Sequence, residues 1–139
     1  MKSYSNNLLV EQSQEKCFNA LTTEISNWWG AQDRLVHQVN DIFKVSWGEP
    51  WYQFKVIEYQ PFDKLVWECI DANQIIHGLE GVQKEWVGTE VHWRLSPNGK
   101  NQTKIDFVHK GLVPEFICYE TCERGWNHYL SGELKKYLS

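Results

Sequence analysis

The apolar residues of this chain follow two periods, and the change between them divides the sequence into strands and helices. Strict alternation of apolar and polar positions, or a short apolar run, is typical of a strand. It predicts seven strands, over 4–10, 35–39, 42–47, 51–60, 65–70, 85–96 and 103–109. Pro97–Asn98–Gly99 is typical of a hairpin turn, and Asn40–Asp41 is a second turn pair. Residues 71–74 are predicted to be a turn, and 75–83 fit neither period.

Helical spacing occurs near the start of the chain and again at its end. Apolar residues at helical spacing predict a short helix over about 14–21, which Ser13 can cap, and a second short helical segment that ends at Gly30. A long helix is predicted from Glu115 to Leu138. Its apolar stripe contains Tyr119, Cys122, Trp126, Leu130, Leu134 and Tyr137. Gly125 and Gly132 lie inside this helix and each costs about 1 kcal/mol relative to Ala, so we expect close packing or a kink there.

The order of these elements predicts the fold class. One strand is followed by two short helices, about six strands and a long helix. Strands in a run with helices segregated around them are typical of an α+β fold with an antiparallel sheet. We expect a single domain over residues 1–139, in which the last helix packs across a curved sheet with an apolar cavity between them.

Composition narrows the classes of partner. The chain has 139 residues and a net charge of −4, which argues against nucleic-acid binding. It has no apolar run long enough to span a membrane and no apolar segment near its start that would form an export signal. Eight Trp residues are an unusual number and predict either a large aromatic core or an aromatic cavity.

The four cysteines show no metal-ribbon spacing, so we expect free thiols in a cytoplasmic protein. Cys118 and Cys122 share a helix face, which fits either half of a metal site or two buried core residues. Because no second pair with suitable spacing exists, we favour the core. The sequence contains no glycine-rich phosphate loop, no GxSxG and no HExxH, so we predict no cofactor, no metal and no assigned catalytic residue.

Four segments together resemble a known family. They are 56–67, with Pro61 and Lys64-Leu65-Val66-Trp67; 89–97, which ends Leu-Ser-Pro; 103–112, with Thr-Lys-Ile-Asp-Phe-Val-His-Lys-Gly-Leu; and 125–138, with Gly-Trp and Tyr-Leu. In order and spacing they are similar to homologues of the activator of heat-shock protein 90 ATPase, within the START-like (SRPBCC) superfamily. Lys64 stands where Arg is commoner in that family.

The resemblance implies a helix-grip fold, in which a curved antiparallel sheet of about six or seven strands wraps around the long C-terminal helix. It also implies functions, because relatives bind lipids, polyketides or other apolar ligands, and some catalyse cyclisation or dehydration. The family name itself implies contact with a chaperone.

His109 is the first candidate for chemistry. On the strand 103–109 it shares a face with Ile105 and Phe107, which is the expected core face. It could bond a ligand carbonyl or act as a general acid or base. The alternative is a structural histidine that is hydrogen-bonded to backbone or to the start of the helix.

Glu58 is the second candidate. If Tyr52, Phe54 and Val56 face inward, Glu58 follows them by parity, and a carboxylate in an apolar cavity would have a raised pKa. The opposite face of this strand also carries apolar residues, so the pattern does not decide which of the two faces points inward. The alternative for Glu58 is an ion pair with Lys64 across the turn at Pro61.

Large aromatic residues complete the predicted pocket, although these rings could equally fill the cavity themselves. The expected pocket residues are Trp67, Trp93, Phe107, His109, Tyr119, Cys122, Trp126, Phe54 and Glu58. The favoured hypothesis is a domain that binds an apolar small molecule of lipid, polyketide or aromatic type. The alternatives are an interaction protein that contacts a chaperone and, last, a cyclase or dehydratase, which needs two polar groups converging in the cavity.

Overall fold

One antiparallel sheet of seven strands forms the framework of the computed structural model, which describes residues 2–139. The strands are β1 (Tyr4–Val10), β2 (Ala31–Gln32), β3 (Ile42–Ser46), β4 (Trp51–Gln60), β5 (Lys64–Asn73), β6 (Glu90–Pro97) and β7 (Thr103–Lys110). Their order across the sheet is β1-β7-β6-β5-β4-β3-β2, and every neighbouring pair is antiparallel.

The helices lie at both ends of the chain. Helix α1 (Gln14–Thr22) is capped by the Ser13 hydroxyl, which accepts a hydrogen bond from the Lys16 amide, and a 3-10 turn (Ile25–Asn27) follows it. The C-terminal helix comprises α2 (Tyr119–Asn127), a π-helical segment (His128–Leu134) and α3 (Lys135–Tyr137). The predicted α+β, helix-grip arrangement is therefore confirmed. No helix of the described residues is long and apolar enough to cross a membrane.

The π-helical segment follows from the spacing of the buried residues. Buried side chains recur at every fourth position from 118 to 138: Cys118, Cys122, Trp126, Leu130, Leu134 and Leu138. In a regular α-helix a step of four residues turns about 40° beyond a full circle, so this stripe would wind away from the sheet. The wider π turn compensates for that drift and keeps the stripe on the sheet.

The core lies between the concave face of the sheet and this helix. The Trp126 ring centroid is 4.5 Å from that of Phe107 on β7 and 6.4 Å from that of Trp93 on β6. Trp67, Trp93, Phe54 and Phe107 are essentially inaccessible to solvent. The inward face of β7 is thus the one that the alternation predicts.

The strand predicted over 35–39 is wrong. Asn40 has a positive φ of 76°, and the Asp41 carboxylate accepts hydrogen bonds from the amides of His37 and Gln38, which folds this segment into a turn. The pairing partner of β3 at this edge is instead the two-residue strand β2.

The boundaries of two other strands also differ from the prediction. The turn predicted at 71–74 is wrong, because β5 continues to Asn73, which pairs with Trp51 on β4. Strand β6 begins at Glu90 rather than residue 85, because a turn closes between Trp86 and Thr89, whose amide and hydroxyl both donate to the Trp86 carbonyl.

The C-terminal helix begins at Tyr119 rather than at Glu115. The Glu85 carboxylate accepts hydrogen bonds from the amides of Ile117 and Cys118, at 2.8 and 2.9 Å. A carboxylate at a helix start satisfies free amides and favours the helix dipole. Because this partner comes from a distant loop, local sequence patterns did not indicate it.

Candidate functional site

A cleft of about 360 Å³ opens beside the C-terminal helix. Its walls come from the β3–β4 turn, β4, the loop after β5, the segment between the 3-10 turn and β2, and one face of the C-terminal helix. None of the lining side chains carries a charge: Trp29, Trp47, Pro50, Tyr52, Gln74, Ile75, Ile76, Trp86, Thr121, Cys122, Gly125, Trp126 and Tyr129. A cleft of this size with six aromatic residues among its thirteen lining residues has the character of a small-molecule site.

Four aromatic rings of the wall lie nearly parallel, and we call Trp29, Tyr52, Trp86 and Trp126 the stacked quartet. The centroid distances around it are 3.9 Å from Tyr52 to Trp86, 5.7 Å from Trp86 to Trp126, 5.0 Å from Trp126 to Trp29 and 6.5 Å from Trp29 to Tyr52. The angles between the ring planes are 16°, 12°, 25° and 7°. Trp47 stands edge-on to Trp29 and Tyr52, at 77° and 80°.

His109 holds two members of the quartet in place. Its Nδ1 accepts a hydrogen bond from Trp126 Nε1–H at 3.0 Å, and its Nε2 lies 2.8 Å from the Thr89 hydroxyl. Thr89 in turn donates to the Trp86 carbonyl at 2.6 Å. The imidazole also meets the Trp86 ring edge-on at 4.5 Å. Both ring nitrogens are therefore occupied within the protein.

The partners of His109 determine its protonation state. An indole N–H can only donate, so Nδ1 must be unprotonated. The Thr89 hydroxyl gives its proton to a carbonyl, so it accepts from Nε2–H. Complete burial lowers the pKa of His109 from 6.5 to about 3, which fixes this neutral tautomer. His109 is thus a structural histidine, which was the alternative in the sequence analysis, and its partners are two side chains rather than backbone.

A second polar chain connects two members of the quartet, Tyr52 and Trp86, through Gln74 and Cys122. Gln74 Oε1 accepts from the Tyr52 hydroxyl at 2.5 Å and from the Cys122 thiol at 3.3 Å, while Gln74 Nε2 donates to the Val82 carbonyl. The Cys122 sulfur accepts from Trp86 Nε1–H at 3.3 Å. Its hydrogen bond with Cys118 and its burial raise the pKa of Cys122 far above the ordinary thiol value. The polar groups of this chain are therefore neutral as well as paired.

The helix contributes a continuous face to the cleft, made of Thr121, Cys122, Gly125, Trp126 and Tyr129. Each of these positions has another of them three or four residues away, as neighbours on one helix face do. Apart from its chain neighbours and the adjacent backbone of the same helix, a Cβ added at Gly125 would meet no atom within 4 Å, so the helix surface there is bare.

The predicted pocket residues fall into separate groups. Cys122 and Trp126 line the cleft. Trp67, Trp93, Phe54 and Phe107 do not, because they are packed in the closed core beneath the quartet. Tyr119 lies on a different groove of the helix, where its hydroxyl is 3.3 Å from the Glu123 carboxylate.

Glu58 does not face the cavity, because the strand register changes just before it. Val56 pairs with Trp67 and Glu58 with Val66, so Ile57 is an extra residue that reverses the parity. Tyr59 then packs inward on Phe18, while Glu58 forms an ion pair with Lys64 at 3.3 Å. Strands β5 and β6 separate Glu58 from His109, a distance of roughly 14 Å at the usual strand spacing. The two groups that a cyclase would need do not converge.

Several wall residues are not among the predicted pocket residues: Trp29, Tyr52, Gln74 and Trp86. Tyr52 carried a usable signal, because it alternates with Phe54 on the inward side of β4. Gln74 carried none, since a glutamine in a polar segment gives no indication that it is 4% exposed.

All four cysteines are free and buried, as expected. Among residues 2–139 no group of three or more His, Cys, Asp or Glu side chains is placed to hold a metal ion.

The chain was compared with protein families and with solved structures. The family model described as Activator of Hsp90 ATPase homolog 1-like protein matches residues 11–139. No curated protein sequence matches the chain.

Three solved structures share its fold. The Aha1 dimer from Colwellia psychrerythraea has a TM-score of 0.78 at 23% identity, over 99% of this chain and 96% of that chain. An HSP90 activator from Plasmodium falciparum has a TM-score of 0.70 at 17% identity, over 99% of this chain and 96% of that chain. DynU16, from the dynemicin biosynthetic locus, has a TM-score of 0.72 at 17% identity, over 99% of this chain and 47% of that chain.

Proposed function

Since this chain belongs to the Activator of Hsp90 ATPase homolog 1-like family, we propose that it binds an apolar, aromatic small molecule in the cleft beside its C-terminal helix. The observation that carries this proposal is the cleft itself, with about 360 Å³ of space and walls of aromatic rings without charge. The hypothesis that the Trp side chains fill the cavity completely does not account for this space.

The energetics support a moderate affinity. Burying about 200 Å² of apolar ligand surface is worth about 5 kcal/mol, and each aromatic pair adds about 0.5–1.5 kcal/mol. Association costs several kcal/mol. Because the polar chains of His109 and Gln74 already fix the rings, little further ordering is needed on binding. We expect a dissociation constant of about 10–100 μM for a two- or three-ring ligand.

A binding assay with a matched pair of variants tests this proposal. Neutral aromatic and acyl compounds are titrated while tryptophan fluorescence and the thermal midpoint are measured. A ligand should quench the fluorescence and raise the midpoint by mass action. Trp29→Ala removes a cleft wall, whereas Trp51→Ala removes a ring that lies outside the cleft under Lys44. We expect the first variant to lose binding and the second to retain it. A broad panel that gives neither quenching nor a midpoint shift would contradict the proposal.

DynU16 adds support of a different kind. It comes from a biosynthetic locus, and it shares its fold with this chain. A protein of this fold from a biosynthetic locus fits the handling of small molecules.

Contact with a chaperone is the second candidate, and family membership favours it. The Plasmodium falciparum protein, which is an HSP90 activator, aligns with this chain over nearly the whole length of both. Added to an Hsp90 ATPase assay, this protein should raise the rate if it acts in the same way. A cytoplasmic location stays a prediction, which the four free thiols support.

A further inference from the structure

Gly125 stands out on the cleft wall because a glycine is unfavourable at its position. It lies inside α2, where it has ordinary helical geometry and no positive φ. Alanine is a much better helix former than glycine, and apart from its chain neighbours and the adjacent backbone of its own helix, a Cβ at this position would meet no protein atom within 4 Å. Neither backbone conformation nor protein packing therefore requires glycine here. Gly125 lines the cleft, and the space that its Cβ would take is open.

We propose that Gly125 determines which ligands the cleft accepts, because its bare backbone lets a flat, uncharged ligand lie directly against the helix between Thr121 and Tyr129. This inference rests on the proposed function and assigns it a contact surface and a ligand class. Thr121 and Tyr129 are each four residues from Gly125, one helical turn away on either side, and both line the cleft.

The chemistry of the wall defines the ligand class. A charged ligand would lose its hydration against a surface that offers no charged partner, so the ligand is uncharged. The parallel planes of the stacked quartet favour a flat ring system that continues the stack. The hydroxyls of Thr121 and Tyr129 can donate and accept hydrogen bonds, so a ligand hydroxyl or carbonyl oxygen suits the edge that lies along the helix.

Gly132 provides an internal control in the same helix. It is exposed, it does not line the cleft, and its added Cβ would meet only the His128 Nδ1 atom at 3.9 Å. A substitution at Gly132 therefore tests the effect of a new side chain on the helix without a change in the cleft.

The experiment compares Gly125→Ala and Gly125→Leu with Gly132→Ala and Gly132→Leu in the full chain. The probes are 2-naphthol, which is flat, uncharged and hydroxylated, and 2-naphthoate, which is its charged counterpart. Calorimetric titration gives the affinities, and thermal unfolding without ligand checks the fold. We expect Gly125→Ala to weaken 2-naphthol binding about threefold and Gly125→Leu at least tenfold. Both Gly132 variants should bind within twofold of the wild type.

The thermal measurement separates a blocked cleft from a damaged fold. Both alanine variants should unfold at or above the wild-type midpoint, because alanine favours the helix. Weaker binding in a variant that is as stable as the wild type is the signature of a specificity residue. If Gly125→Leu fails to fold, the expected threefold loss of 2-naphthol affinity in Gly125→Ala tests the role of Gly125 on its own.

The outcomes distinguish the two proposals. If the wild type binds neither probe, the proposed function fails for this ligand class and the role of Gly125 fails with it. If the wild type binds 2-naphthol and the Gly125 variants bind it equally well, only the role of Gly125 is overturned. If 2-naphthoate binds as tightly as 2-naphthol, the assignment of an uncharged ligand is overturned.

Discussion

Two pairs of tryptophans in this molecule are held in different ways. Trp67 and Trp93 lie in the closed core, and their indole N–H groups have no hydrogen-bond partner among the described residues. Trp86 and Trp126 lie on the cleft wall and are almost as deeply buried, yet each donates to a side chain, Cys122 and His109 respectively.

The difference follows from what surrounds each ring. A core ring has neighbours on all sides, so packing alone fixes its orientation, and the dispersion contacts outweigh the cost of an unpaired N–H of about 1–3 kcal/mol. A wall ring lacks protein atoms on the side of the cleft. For Trp86 and Trp126, hydrogen bonds to Cys122 and His109 supply a constraint in addition to packing. The contrast belongs to these two pairs, because the wall ring Trp47 also has an unpaired N–H and the core ring Trp28 donates to the Ala20 carbonyl.

The largest expected effect comes from removing a core ring. Trp67→Ala leaves a cavity that the tightly packed sheet cannot refill, and it should lower the free energy of unfolding by about 3–5 kcal/mol. Denaturant unfolding measures this cost. A loss below about 1 kcal/mol would show that the core around Trp67 is not closely packed.

Acid should lower the free energy of unfolding, because His109, which accepts the hydrogen bond of Trp126, is neutral in the folded protein. Its pKa is about 3 in the folded protein and near 6.5 in the unfolded chain, so between these values the unfolded chain binds one more proton. The contribution of the neutral, buried His109 to the free energy of unfolding is complete above pH 6.5 and is lost as the pH falls towards 3. We expect a loss of about 2–3 kcal/mol between pH 6 and pH 4 from this residue.

A pair of variants isolates this contribution. His109→Phe cannot titrate, so its free energy of unfolding should change less over this pH range than that of the wild type. His77→Gln removes an exposed histidine and should keep the full wild-type slope. Identical slopes in all three proteins would contradict the assigned role of His109.

Conservative substitutions in the two pairs should have unequal costs. Trp126→Phe leaves the buried His109 Nδ1 without its donor, whereas Trp67→Phe removes an N–H that has no partner. Both changes remove a similar volume. We therefore expect Trp126→Phe to cost about 1–3 kcal/mol more than Trp67→Phe in denaturant unfolding. Equal costs would mean that the hydrogen bond to His109 does not hold the wall.

The smallest effect concerns the second polar chain. Cys122→Ala removes the acceptor of Trp86 Nε1–H and a donor to Gln74, so it should cost about 1 kcal/mol. Cys122→Ser keeps a donor and an acceptor and should cost less. The comparison fails if serine is the more destabilising of the two in thermal unfolding.

The sequence predicted the fold well and the cleft poorly, for a physical reason. Strands β4, β6 and β7 and the C-terminal helix follow from local periodicity, which burial on a single face imposes. The period of four in the helix also indicates the π-helical segment, but we interpreted it as a regular stripe that includes Tyr119 and Tyr137. The structure places Tyr137 at 38% exposure.

The cleft depends on contacts between distant segments, which no local pattern records. The bulge at Ile57 reversed the parity that placed Glu58 inside, and Glu85 from one loop sets the start of the helix. His109 was correctly selected as an inward residue. Its two partners, Trp126 and Thr89, are 17 and 20 residues away along the chain. Because these partners are distant in sequence, local patterns cannot show whether a buried histidine contacts a ligand or other side chains of the protein.

The most direct test of the account is an NMR titration that follows the indole N–H signals of the eight tryptophans. Each signal is assigned by a Trp→Phe variant, and 2-naphthol is then added to the wild type. We predict saturable shifts for Trp29, Trp47, Trp86 and Trp126, which line the cleft, and little change for Trp51, Trp67 and Trp93. Shifts confined to Trp51, or no saturable shift of any cleft indole, would contradict the assignment of the ligand site.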